Sequence, residues 1–203
     1  MPVFGQSFTA TGILWVILSL TASICNCVGF YLPYWIRGTM FNSTEVNFGS
    51  FRRCNYPRLD ENGAVTIVYE CGRYVSFYDI PSVSWQITTI VVGVGAAGSL
   101  LVALTSLASC WVTDVVTRNS MRALGAVQFI VVILIITGVT IYPNGWSTRE
   151  VREACGGISD SYDPGTCHLS SSLYLLGTGG ILLTLCILLS CWASRTNQHS
   201  YRI

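Results

Sequence analysis

The chain has 203 residues, 51% of them hydrophobic and only 10% charged, with a formal net charge of +1. That balance excludes a nucleic-acid binder, which needs a basic stripe. Every basic residue is Arg and none is Lys, so Schiff-base and lysine-nucleophile chemistry is excluded too.

The charges fall in islands. Residues 1–36, 80–113, 123–148 and 164–194 contain no Asp, Glu, Lys or Arg. Each gap can hold the roughly 20 apolar residues that cross a bilayer core of about 30 Å as an α-helix. A charge at the centre of a lipid-facing helix costs at least about 2.5–3.5 kcal/mol. A soluble four-helix bundle would instead place charges on its outer faces every turn or two. The pattern predicts an all-α membrane protein, a single tetraspan unit over 1–203 with membrane lipid as its solvent.

The first helix is expected near 11–32. No charged n-region precedes it, so it reads as a retained span rather than a cleaved signal peptide. Its Asn26 should find a hydrogen bond inside the bundle, and Cys25 and Cys27 read as small apolar fillers.

A long loop, 33–86, follows. Ala64-Val65-Thr66-Ile67-Val68-Tyr69-Glu70-Cys71 reads as a strand rich in β-branched residues. Asn62-Gly63 before it is a strong two-residue hairpin signal. About that turn, positions summing to 125 face each other, which brings Cys54 opposite Cys71 at a non-hydrogen-bonded pair suited to a disulfide. Pro57 would then fall at a hydrogen-bonded position, which calls for a bulge or an outward edge. Asn42-Ser43-Thr44 in the same loop is an N-glycosylation acceptor at Asn42.

The second helix is expected near 87–112. Gly93 with Ala97, and Gly95 with Ser99, are small-xxx-small pairs. They serve either packing within the bundle or a docking face for a partner's helix. The third helix is expected near 123–142, with Gln128 as a second polar residue inside the bundle. The loop 143–172 carries Cys155 and Cys167 around a turn-rich stretch. Arg149, Glu150, Arg152 and Glu153 would form a short helical turn there, with Arg149 and Glu153 an i,i+4 pair. The fourth helix is expected near 173–193, with Gly177, Gly179, Gly180 and Thr184. Cys110 and Cys191 sit at the ends of helices two and four and are candidates for palmitoylation. The chain finishes Ser200-Tyr201-Arg202-Ile203. Tyr201 and Ile203 with a free carboxylate could add as a strand to a PDZ scaffold, and the alternative is a short polar tail.

Trp15, Trp111 and Trp192 fall at one membrane level and Trp35, Trp85 and Trp146 at the other, an aromatic-belt pattern. Basic-residue density marks the loop 113–122 as cytoplasmic, whereas raw count does not. The cysteines and the sequon decide it. Both loop pairs lie on one side, which should be oxidising. Four loop cysteines permit three connectivities, of which pairing within each loop is the simplest. Both termini are then cytoplasmic.

Enzymatic chemistry is poorly served. His168 and His199 form no metal cluster. No Cys-x-x-Cys, phosphate loop or nucleophile–base–acid set is present. No ionisable Asp, Glu, Arg or His lies inside a predicted span, which disfavours a proton relay. The reading is a non-enzyme with no catalytic residues, metal or cofactor.

Several segments together resemble one family. They are Val28-Gly29-Phe30 with Pro33-Tyr34-Trp35, then Phe48-Gly49-Ser50-Phe51-Arg52-Arg53-Cys54 and Glu70-Cys71-Gly72-Arg73-Tyr74. Ile80-Pro81-Ser82 with Trp85 follows. Then come Tyr142-Pro143-Asn144-Gly145-Trp146, Glu150-Val151-Arg152, Cys155-Gly156 and Cys167. This combination resembles the lipoma-HMGIC-fusion-partner-like tetraspan family, its founding branch most of all. The wider claudin and peripheral-myelin-protein pattern is met at Trp35, Cys54 and Cys71. Gly49-Ser50-Phe51 meets its Gly-Leu-Trp element only in part. The resemblance implies a claudin-like, left-handed four-helix bundle with a small extracellular antiparallel β-sheet. It also implies an accessory role at the plasma membrane, supporting assembly, trafficking or localisation of an ion channel or adhesion protein. Relatives act so in hair-cell mechanotransduction and at inhibitory synapses. The alternative is a claudin-like barrier or paracellular pore. Residues 37–79 hold five Arg and five acidic residues, a balance that suggests no charge selectivity.

Overall fold

The structure, a computed structural model, describes residues 10–40, 44–59, 65–108 and 118–199. The elements run α1 (Ala10–Tyr31), β1 (Ile36–Met40), β2 (Thr44–Phe48), β3 (Arg52–Leu59), β4 (Val65–Arg73), α2 (Val83–Ala108), α3 (Arg118–Ile141), α4 (Arg149–Ala154), β5 (His168–Leu169) and α5 (Ser171–His199). Among the described residues four helices are long and apolar enough to cross a membrane: Gly12–Tyr31, Val83–Ala108, Arg122–Ser147 and Ser171–Cys191.

The predicted spans match these, with differences at the ends. Helix α2 begins at Val83 rather than near 87 because Ser82 caps it. The Ser82 hydroxyl accepts the Trp85 N–H at 3.1 Å, and its carbonyl accepts the Gln86 N–H at 3.1 Å. Helix α5 continues past the apolar stretch to His199.

The four long helices close a ring in chain order: α1 packs on α2 and α5, and α3 packs on α2 and α5. The outer faces carry Ile17 and Ile24 on α1, Ile90 and Val94 on α2, Ile133 and Ile136 on α3, and Ile181 and Leu188 on α5. The inside carries Ser19, Ser23, Asn26, Thr88, Ser99, Gln128 and Ser190 beside Ala22, Val92, Val131 and Leu183. In lipid no hydrophobic force draws helices together, so close packing and interhelical hydrogen bonds must do it. Thr88 donates to the Gly138 carbonyl at 3.1 Å, and Gly138 leaves the room that Val92 fills. The Gln128 amide donates to Ser19 Oγ at 3.0 Å. Asn26 departs from expectation: its amide has no protein partner. Its side chain instead fills the notch left by Gly179 on α5.

The sheet has the strand order β4-β3-β2-β1-β5, with every neighbouring pair antiparallel. It is not confined to the first loop. The second loop supplies β5, which pairs Ile36 with Leu169 and Arg37 with His168. The β3–β4 hairpin keeps the expected pairs at its base, Arg52 with Arg73 and Cys54 with Cys71. Beyond Cys54 the ladder slips by one residue, so Tyr56 faces Val68 and Pro57 faces Ile67. The irregularity that Pro57 called for therefore sits at Asn55, whose φ of 56° is left-handed. The pair nearest the tip is Leu59 with Val65. That register is not the one a two-residue Asn62-Gly63 turn would set, and residues 60–64 themselves lie outside the described residues.

The tryptophans correct the belt reading. Trp15, Trp35, Trp85 and Trp146 are all buried. Their rings serve the protein core rather than the headgroups. Trp15 Nε1, for instance, donates to the Cys186 carbonyl at 3.2 Å. Trp111 lies outside the described residues, as does the Trp192 side chain.

Candidate interaction surface

The sheet is joined to the helix ends by one aromatic cluster. Trp85 stacks on Tyr142 with centroids 4.9 Å apart and planes 10° from parallel. Trp35 leans on the same Tyr142 ring at 4.7 Å, and Phe48 of β2 meets Trp85 at 6.1 Å. Every polar atom that these rings carry is used. Trp85 Nε1 donates to the Tyr142 carbonyl at 3.0 Å, Trp35 Nε1 to the Gly29 carbonyl at 2.9 Å, and Tyr142 Oη to the Phe48 carbonyl at 3.2 Å. Such satisfied rings fix the sheet rigidly on the bundle.

A second joint ties the two loops to each other. Arg53 of β3 reaches Glu150 of α4 at 2.8 Å, and Tyr74 Oη donates to the same carboxylate at 3.1 Å. The Arg53 guanidinium lies over Tyr56 at 4.2 Å and over Tyr74 at 4.7 Å. Burial, then the nearby Glu150 charge, raises the Tyr74 phenol above its ordinary value. It therefore stays a neutral donor to that carboxylate. The predicted turn at 149–153 is α4, and Arg149 meets Glu153 at 2.7 Å. Arg149 is almost fully exposed, so water screens that pair and it adds little. The Arg53–Glu150 pair is partly shielded and carries more. Arg53→Ala and Glu150→Ala should each lower stability by about 1–2 kcal/mol. In a double-mutant cycle on melting in detergent, a coupling near zero would show that this pair adds nothing to the joint that β5 and the aromatic cluster already make.

The structure joins Cys54 to Cys71 and Cys155 to Cys167, pairing within each loop. The second bridge is buried at the core of the sheet, where Gly38 of β1 lets Cys167 Sγ approach. The small-residue pairs of α2 divide between two sides. Gly95 faces Val131, Leu134 and Ile135 of α3, and Ser99 is buried. These two pack the bundle and are not free for a partner's helix. Gly93 meets Phe30 of α1, while Ala97 is exposed. Cys191 is exposed near the end of α5. Asn42, Cys110, Tyr201 and Ile203 lie outside the described residues.

On β4 and in the loops, large apolar and aromatic side chains are exposed. Val75 is 98% exposed, Tyr78 86%, Tyr69 73%, Ile158 67% and Tyr162 63%. Among the described residues no group of three or more His, Cys, Asp or Glu is placed to hold a metal. What these side chains can do chemically is bind a surface. Sequence reasoning missed the Arg53–Glu150 joint, since 97 positions separate its partners and each residue alone reads as solvated.

Comparison with known proteins places the chain. A sequence model described as lipoma HMGIC fusion partner-like protein matches residues 11–195. LHFPL tetraspan subfamily member 2 of Homo sapiens is 27% identical over 202 residues, covering 91% of this chain and 87% of the relative. LHFPL tetraspan subfamily member 3 of Danio rerio is 28% identical over 175 residues, covering 85% of this chain and 76% of the relative. Member 4 of Mus musculus is 26% identical over 174 residues, covering 85% and 67%. With the four spans, these matches make the chain a multi-pass membrane protein that belongs to the lipoma HMGIC fusion partner-like tetraspan family.

Proposed function

We propose that the protein is a non-enzymatic accessory subunit of the plasma membrane. It binds an ion channel or an adhesion protein through its outer module and supports that partner's assembly, trafficking or localisation. The observation that carries this reading is the exposed set Val75, Tyr78, Tyr69, Ile158 and Tyr162 on β4 and the loops beside the sheet, a module held by two disulfides and an aromatic joint. Tyrosine and large apolar side chains are what protein interfaces enrich, and a preformed surface loses little entropy on binding.

The test is purification of the full-length chain from native membranes in mild detergent. A channel or adhesion protein should co-purify in fixed proportion, and Tyr78→Ser with Tyr69→Ser should release it. Recovery of the chain with only copies of itself would overturn the accessory reading in favour of a claudin-like barrier.

The sheet side is extracellular in this reading, because disulfides persist in oxidising compartments. Asn42 should then carry a glycan. N-glycosidase treatment should shift the wild-type band to the mobility of Asn42→Gln. Identical mobility before and after treatment would remove this support for the orientation.

A further inference from the structure

Between α1 and α2, on the sheet side of the bundle, an open groove of about 590 Å³ is lined by Cys27, Val28, Phe30, Tyr31, Gly93 and Ala97, among others. Its floor is wide because α2 offers only small side chains there. A Cβ at Gly93 would stand 3.1 Å from Phe30 Cζ. The Ser50-Phe51-Arg52 turn lies next to the groove. Thr89 of α2 donates to the Ser50 carbonyl at 3.1 Å, and Phe51 packs on Phe30 with centroids 4.9 Å apart.

Arg52 sits above the groove, its guanidinium 4.4 Å over the Tyr31 ring. Stacking uses the flat face of a guanidinium and leaves its N–H edges free to donate. Among the described residues no carboxylate pairs with Arg52 or with Arg73. Yet these two are direct cross-strand partners on one face of the sheet. Like charges placed so are destabilising unless an anion lies between them. Arg53, on the opposite face, is by contrast paired with Glu150.

We infer that this is a phospholipid site. One acyl chain lies in the groove between α1 and α2, and the lipid phosphate is held by Arg52 with Arg73. Charge complementarity selects this occupant. Two unpaired guanidinium groups at the level where a span leaves the membrane meet a phosphate layer, and Arg binds phosphate through a planar fork. Apolar lining beneath them suits an acyl chain.

The full-length protein is reconstituted in nanodiscs of phosphatidylcholine with phosphatidylglycerol, then extracted and weighed by native mass spectrometry. Wild type should retain bound phospholipid. Arg52→Gln, with or without Arg73→Gln, should lower retention about tenfold, the loss of one charge-assisted hydrogen bond or more. Ala97→Phe, which fills the groove from its lipid-facing side, should lower retention comparably while leaving the melting temperature unchanged. Diacylglycerol, which lacks the phosphate, should not be retained. Unchanged retention in both Arg52→Gln and Ala97→Phe would overturn the site, as would equal retention of diacylglycerol. Should these variants release a co-purifying membrane protein while lipid retention holds, the groove seats a protein and the lipid site is wrong.

Discussion

Tyr142→Ala should lower stability by about 3–5 kcal/mol, the cost of emptying a large aromatic site that cannot collapse. Tyr142 is fully buried and touches three tryptophans: it stacks on Trp85, leans on Trp35 and meets Trp146 edge-on at 6.3 Å. Those rings come from three different stretches of chain, so none can relax into the void without moving an element. The hydroxyl is a smaller matter. Tyr142→Phe should cost only about 1 kcal/mol, because it removes one hydrogen bond. The Phe48 carbonyl it leaves still accepts the Trp35 N–H at 3.1 Å. Melting in detergent micelles, read by Trp fluorescence, separates the two variants. If Tyr142→Ala melted like Tyr142→Phe, the cluster would not be what holds the sheet on the helices.

Loss of the Cys155–Cys167 bridge should have the next largest effect. Closing a loop of that length contributes about 3 kcal/mol in the chain-entropy model. The outer module is too small to fold firmly on burial alone. The Cys54–Cys71 bridge closes a loop of similar length, but the sites differ. Both Cys155 and Cys167 are buried in the main core, beside β1 at Gly38, whereas Cys71 is exposed on the outer hairpin. The double change Cys155→Ser with Cys167→Ser should hold most of the chain in the endoplasmic reticulum. Cys54→Ser with Cys71→Ser should reduce surface delivery less, since the β3–β4 ladder persists. Surface biotinylation measures both. Normal delivery of both double variants would mean that the module folds without its bridges.

Much of this arrangement is legible in the sequence, for a definite reason. The bilayer admits no ionised side chain along a lipid-facing helix, so charge-free gaps mark spans directly. Spacing about the hairpin put Cys54 opposite Cys71, because strand pairing is a rule of sums. It lost the register beyond Cys54, because β4 has one extra residue there, Tyr69 and Glu70 together facing Asn55, which no sum foresees. The small residues of α2 were visible, but not which way each faced. Gly95 and Ser99 went to the bundle and Gly93 and Ala97 toward the α1 groove. A helix rotates these positions by 100° per residue, and only its neighbours fix the phase.

The sequence by itself determined the four spans and the charged loops between them. Each follows from local composition, which the solvent reads residue by residue. Only the tertiary structure decided three further things. The tryptophan rings turned inward to join sheet and bundle. The second loop entered the sheet as β5. Arg53 was committed to Glu150, while Arg52, the residue before it, was left over Tyr31 at the membrane edge. Adjacent residues on a strand point to opposite faces, so two identical side chains in sequence meet different surroundings. What lies on each face is supplied by segments far away in the chain.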